Sequence, residues 1–178
     1  MPSVFTHVVA ASALGTAFRN SEPTAPIIVL GALCSIVPDI DLIALGLGIP
    51  NEHLFGHRGL THSFAFAAAV ATISVSLLST FGIAQRFVAL WLYFFLATAS
   101  HGVLDGMTNG GLGIAFFAPF DKARYWMPWR PILASPSDAS SFLWAHSTSV
   151  IASELLWVWL PALIFVLLVL PFRRDETR

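Results

Sequence analysis

Five apolar stretches separated by polar breaks organise this chain. Val4 to Phe18 is closed by Arg19-Asn20-Ser21-Glu22-Pro23. Ala25 to Ile49 is interrupted by Pro38-Asp39-Ile40-Asp41. Ser63 to Ile83 runs unbroken and is rich in alanine and serine. Arg86 to Met107 carries His101 and Asp105 in its last turns, and Val150 to Leu170 holds Glu154 near its start and Pro161 mid-span. About 20 apolar residues cross a bilayer as a helix, so the pattern predicts an all-α fold: a polytopic membrane helical bundle of about five helices. The first stretch is short for a span and would be tilted, partial or extended by its ends. Proline removes a helical donor and kinks the chain. Helix two is therefore expected to break at Pro38, an interruption tolerated at membrane depth where it lines a cavity. The small residues of the third stretch suit close packing on neighbours.

One long connection, Thr108 to Ser149, joins the last two stretches. It holds Gly110, Gly111 and Gly113, prolines at 119, 128 and 131, and a cluster of Phe and Trp. Long loops in compact domains are usually functional or disordered. This one is too aromatic for disorder and reads as a lid at the membrane interface, where Trp and Tyr accumulate.

Composition agrees with the pattern. The chain has 178 residues, 56% hydrophobic and 11% charged, with a mean hydropathy of +0.76. A soluble domain carries roughly 25% charged residues, so too little polar surface exists here to coat a soluble globule. The length suits one domain over residues 1–178. A formal charge of −1 lacks the basic footprint of a nucleic-acid binder. The single cysteine, Cys34, excludes an intrachain disulfide and reads as a small buried hydrophobe. No base precedes the first apolar stretch and His7 lies within it, so it reads as a retained helix and not a cleaved signal peptide.

Five alternating helices would bring the amino terminus, the loop over 51–61 and the long connection to one face. His7, Asp39, Asp41, His57, His62, His101, Asp105 and Glu154 all then fall near that face. Arg19, Arg86, Arg173, Arg174 and Arg178 would lie on the opposite face, against Arg58, Lys122, Arg124 and Arg130 on the site face. That balance leans by the positive-inside rule towards a cytoplasmic carboxy terminus and an outward site face.

Ionisable residues at membrane depth cost a few kcal/mol or more and face a polar cavity or a partner. Seven of metal-ligand type, His7, Asp39, Asp41, His57, His62, His101 and Asp105, suggest one buried metal site. His101 and Asp105 are four apart and share a helix face; Asn109 continues that stripe if the helix persists. Imidazole and carboxylate both suit zinc or another divalent ion, so Zn is expected, with Mn or Mg as alternatives. Asp39 and Asp41 would diverge on a regular helix, but the proline break lets one or both turn inward, and one of them suits a helix N-cap. Gly59 permits a tight turn that aims His57 and His62 inward, with Thr61 or Ser63 capping the next helix. His53 and His146 lack such a setting and read as surface or interfacial residues.

Asp39, Asp41 and Glu154 are candidate catalytic bases. Glu154 suits equally a ligand, a partner orienting a histidine, or a structural hydrogen-bond acceptor. Arg58 and Arg124, with Lys122 and Arg130, are candidate binders of a substrate anion or anchors for lipid headgroups.

At Thr6-His7, Pro38-Asp39-Ile40-Asp41, the run His57 to Ser63, His101 to Asp105, Thr108 to Gly111 and Pro119-Phe120, the chain resembles the YdjM-like family of bacterial inner-membrane proteins, regarded as metal-dependent hydrolases. The resemblance covers nearly the whole chain and implies a multi-pass protein of the bacterial inner membrane with a hydrolase-like site. More distantly, the order of His7, Asp39 or Asp41, His57 or His62, and His101 with Asp105 is similar to the all-helical zinc-dependent phospholipase C and nuclease superfamily. The later His-x-x-x-Asp/Glu pair of that superfamily has no counterpart, which favours one or two metals over three. The expected activity is hydrolysis of a phosphoester or a lipid by metal-activated water, with membrane lipid and a divalent metal as partners and no nucleic acid. The alternatives are a divalent-metal transporter or ion pathway, and a membrane interaction protein with a structural metal.

Overall fold

A computed structural model describes residues 1–18, 24–82, 86–134 and 148–172. Those residues are helical with no strands, only two isolated bridges, Thr108 with Ile132 and Ile114 with Tyr125. Helix α1 spans Val4–Ala17 and α2 spans Thr24–Ile36. Pro38 stands where α2 gives way to a 3-10 turn over Val37–Asp41, after which the short α3 runs Leu42–Gly46. A second 3-10 turn, Leu60–His62, leads into α4, Phe64–Thr80, whose first turn is capped by the Ser63 hydroxyl accepting the Phe66 N–H at 3.1 Å. Helix α5 covers Phe87–Gly106.

The last span is built from α6, Thr148–Glu154, a π turn over Leu155–Trp159, and α7, Leu160–Val169. Pro161 has no N–H for the carbonyl of Trp157, and the helix widens to π register just before it.

Three continuous helical stretches are long and apolar enough to cross a bilayer: Ala25–Gly46, Phe87–Gly106 and Thr148–Val169. Helices α1 and α4 are apolar but shorter. Helix α5 is the centre of the bundle and packs on α1, α2 and α4. Its Tyr93, Phe94 and Ala97 fill the core with Ala11 of α1, Ile27 and Cys34 of α2, and Ala71 and Val75 of α4. Cys34 is buried and free, with its sulfur 3.3 Å from Ser74 Oγ. The Tyr93 hydroxyl donates to the Ala11 carbonyl, so the one buried phenol is paired. The last span lies mainly against α1 and leaves most of its surface outward.

This core sets the ends of α1, α2, α4 and α5 at one level. A Cβ on Gly102 would press on the His62 carbonyl, so glycine lets the second 3-10 turn lie directly against α5. Beyond α5 the connection folds back over that end: Asn109 N–H donates to Ile132 O, and Ile114 and Tyr125 exchange backbone hydrogen bonds. Phe117, Phe120, Tyr125, Trp126 and Trp129 of this connection are exposed. His146 and four of the opposite-face arginines, Arg19, Arg173, Arg174 and Arg178, lie outside the described residues.

Candidate metal centre

His7 enters from the first turn of α1, Asp39 and Asp41 from the first 3-10 turn, His57 and His62 from the loop and turn before α4, and His101 and Asp105 from the last two turns of α5. The fold brings all seven together. His7, His101 and Asp105 are fully buried, and Asp41, His57 and His62 nearly so. Three overlapping groups result: His7 with His101 and Asp105, Asp39 with His62 and His101, and Asp41 with His57 and His62. Within each group one nitrogen or oxygen per residue lies within 4.8 Å of the others, close enough to hold a metal ion.

Hydrogen bonds divide these residues into two kinds. Asp41 is saturated. Its Oδ1 lies 2.8 Å from His57 Nδ1, and its Oδ2 accepts from the Thr61 hydroxyl at 2.6 Å and the Arg58 backbone N–H at 3.2 Å. His62 Nδ1 is a further 3.1 Å from Oδ2. Asp41 stands at the N-cap of α3 but makes no side-chain cap bond there. Its carboxylate orients the two imidazoles instead, as carboxylates do behind metal-binding histidines.

His101 is oriented in the same way by backbone. Its Nδ1 lies 2.7 Å from the Ser35 carbonyl, and a carbonyl only accepts. Nδ1 therefore carries a proton, and in the neutral imidazole Nε2 carries the lone pair. That Nε2 is 3.3 Å from Asp39 Oδ1, so with a neutral ring two acceptors face each other.

The other atoms make no hydrogen bond, although Asp105 Oδ2 is ion-paired with Arg58. His7 Nδ1 and Nε2, both oxygens of Asp39 and Asp105, His62 Nε2 and His101 Nε2 are buried without a hydrogen-bond partner. They converge: His7 Nε2 is 3.8 Å from Asp105 Oδ1, and His62 Nε2 is 3.7 Å from Asp105 Oδ2 and 4.0 Å from Asp39 Oδ1. The His7 and His101 rings stack at 3.8 Å. Burial lowers the basicity of His62, favouring the neutral imidazole that binds metals. Each unpaired buried group costs about 1–3 kcal/mol, and one divalent cation would satisfy several at once. The donor set of imidazole nitrogen and carboxylate oxygen fits such an ion.

The guanidinium of Arg58 tempers the negative charge. Its Nε lies 3.0 Å from Asp105 Oδ2, its Nη1 donates to the carbonyls of Gly110 and Leu112, and its Nη2 donates to Thr108 Oγ1. Three carboxylates against one guanidinium leave a formal charge of −2 with neutral imidazoles, which a divalent cation cancels. Arg58 itself takes the left-handed conformation, φ 67°, a cost of roughly 1–2 kcal/mol offset by these bonds. The left-handed residue of the tight turn is thus Arg58. Gly59 serves differently, since a Cβ there would collide with the Leu54 carbonyl.

Several candidates stand apart from the converging atoms. Arg58 and Arg124 are both engaged by groups of the chain itself. Arg124 donates to the carbonyls of His57, Arg58, Gly113, Asn51 and His53, tying two loops together, and Arg58 is occupied as described. Glu154 is not brought into the centre. Its Oε1 accepts the Ser3 N–H at 2.7 Å, and its Oε2 accepts the Ser3 and Thr6 hydroxyls at 2.5 and 2.7 Å. It caps α1 from the far end of the chain, and Trp159 Nε1 donates to the same Thr6 hydroxyl. Asn109 does not extend the His101 stripe because α5 stops at Gly106; its side chain accepts from Ala134 N–H. His53 is exposed. Sequence reasoning missed the Ser35 carbonyl, for which no side-chain signal exists, and the Thr108 hydroxyl, and it offered Thr61 as a helix cap where its hydroxyl instead donates to Asp41.

These features define a class: a polytopic helical membrane protein with a buried histidine and aspartate centre able to hold a metal. The profile of the YdjM inner membrane protein family matches residues 1–175, and the chain belongs to that family. It is similar to the Escherichia coli (strain K12) inner membrane protein YbcI, 30% identical over 166 residues that cover 93% of this chain and 95% of that protein. No solved structure matches it. The chain is a multi-pass inner-membrane protein, in agreement with its apolar helices.

Proposed function

We propose that this protein is a membrane-bound, metal-dependent hydrolase, with zinc as the resident ion and a phosphoester or lipid ester as substrate. The observation that carries the reading is the convergence of unpaired, buried donor atoms from His7, Asp39, His62, His101 and Asp105. Those five residues would hold the metal, while Asp41, His57 and the Ser35 carbonyl orient ligands or line the approach. A divalent ion bound there lowers the pKa of a water and polarises the phosphoryl oxygen.

The chain's own part is positioning and proton handling. Asp39 is the least buried of the five ligands, with a side chain 11% exposed, and neither of its oxygens is paired. One oxygen would hold the metal and the other would take the proton of the attacking water. Water oxygen bonds to phosphorus as the bond to the leaving alcohol breaks with its electron pair. One water proton ends on the alcohol and the other is released. His57 and Arg58 line a pocket of about 120 Å³ with Leu45, Asn51, Gly111 and Leu112, which gives a small polar group a way in beside the centre. A Cβ on Gly111, where φ is 78°, would press on the Arg58 guanidinium and narrow that entrance.

The test is metal content of the detergent-purified protein, followed by chelator-sensitive hydrolysis of phosphodiester and phospholipid substrates. Bound zinc that is lost in His101→Ala and Asp105→Ala, with hydrolysis lost alongside, is the expected result. Negligible metal in all three proteins overturns the reading. Metal without any hydrolysis, but with metal uptake into liposomes, replaces it by transport.

A further inference from the structure

The last span touches α1 along one line and leaves an apolar groove of about 720 Å³ beside it. Its walls are Val9, Ser12 and Thr16 of α1, Ile28 of α2, and Leu160 and Leu163 of the span. The lining is hydrocarbon in character: the Thr16 hydroxyl is spent on the Ala13 carbonyl at 2.7 Å, and no charged side chain contributes. From Val8 to Thr16 the groove runs about 12 Å along α1 at the helical rise. One bilayer leaflet has roughly 15 Å of hydrocarbon, half of the ~30 Å core. Its upper end is defined by Val8 and Leu155, which directly follow His7 and Glu154 in sequence. There the Trp159–Thr6 hydrogen bond and the Glu154 cap form a polar ceiling.

We infer that this groove holds one acyl chain of a bilayer lipid, laid along α1 with its polar head at the depth of the metal centre. Three observations support that occupant. The groove is continuous with the outward surface of the span, where Leu155, Leu160 and Leu163 are about half exposed. Its length matches a chain within one leaflet. Its described walls carry no charged side chain and polar groups rim its Thr6–Glu154 end, which is the polarity of a lipid. The naming of that lipid as the substrate rests on the hydrolase reading above; the occupancy of the groove does not.

The experiment uses the full chain reconstituted into phosphatidylcholine liposomes doped with a phosphatidylcholine bearing a diazirine at mid-chain. After illumination, adducts are mapped by peptide mass spectrometry, and metal content is measured on the same sample. Adducts should be several-fold denser on residues 8–16 and 155–166 than on the lipid-exposed face of α4, at Ile73 and Leu77. Val9→Trp and Ser12→Phe, which fill the groove from two positions, should each cut that excess to the α4 level while bound metal stays the same. Uniform labelling in the parent protein, or an excess that survives both variants, overturns the proposal. Groove-specific adducts on metal-free protein would sink the hydrolase reading alone, and metal-loaded protein with uniform labelling would sink the groove alone.

Discussion

Two buried polar clusters share helix α1, one residue apart, and they are built on opposite principles. Around Thr6, the Glu154 carboxylate collects the Ser3 N–H and two hydroxyls, and every donor meets an acceptor. Around His7, five side chains of the same buried, ionisable kind turn their free atoms towards one another without partners. A buried polar group in the membrane must be satisfied or face a functional cavity. The first cluster is satisfied by the chain itself, so it can be structural. The second is not satisfied by the chain's own hydrogen bonds, which is why a ligand is proposed there. Ionisability at membrane depth, which the two clusters share, does not separate structure from function; the balance of donors and acceptors does.

That contrast is open to attack from both sides, most strongly through the centre. His101→Ala with Asp105→Ala removes two of the five proposed ligands, and metal affinity should fall by well over 100-fold, measured by competition with a fluorescent zinc chelator. If affinity survives, the unpaired atoms are not a metal site. Asp41→Asn sharpens the division within the centre. It keeps a similar shape but leaves His57 and His62 with a weaker acceptor, and loss of such an orienting carboxylate costs metal affinity about 10–100-fold. A loss as large as that of the double variant would make Asp41 a ligand.

Glu154→Ala tests the other cluster. Orphaned donors on Ser3 and Thr6 should cost about 1–3 kcal/mol of stability, read as a lower melting temperature in detergent, with metal stoichiometry unchanged in the folded protein. Loss of the metal from well-folded protein would merge the two clusters into one. The smallest effect is expected at Asp121, whose exposed carboxylate accepts from the Tyr125 hydroxyl and Ala123 N–H. Asp121→Ala should alter the melting temperature by the equivalent of roughly 0.5 kcal/mol or less and leave metal binding untouched.

Much of this was legible before the structure. Alternating apolar stretches put His7, the two aspartates, His62, His101 and Asp105 at one end of a bundle. The four-residue spacing of His101 and Asp105 placed them on one helix face, and Ser63 caps its helix as its type suggests. What was not legible was the use of each atom. Glu154 looked like a catalytic base because its partners, Ser3 and Thr6, stand some 150 residues away in sequence. Arg58 and Arg124 looked like anion binders because the carbonyls they bind belong to loops whose paths no periodicity dictates. Asp39 and Asp41 are alike in sequence, and only the 3-10 turn after Pro38 sends one towards His57 and the other towards His101.

Arg58 offsets only one of three acids, and this bears on how the protein is made. A newly inserted chain must bring helices α1, α2 and α5 together around like charges at the end of the bundle, and their repulsion opposes the final closure. An ion captured while the bundle is still open would turn that repulsion into a clasp. Once the helices close, His7, His101 and Asp105 are fully buried, and an ion held there would exchange only through the side where Asp39 is partly exposed. Its identity would then depend in part on which cation was at hand during assembly.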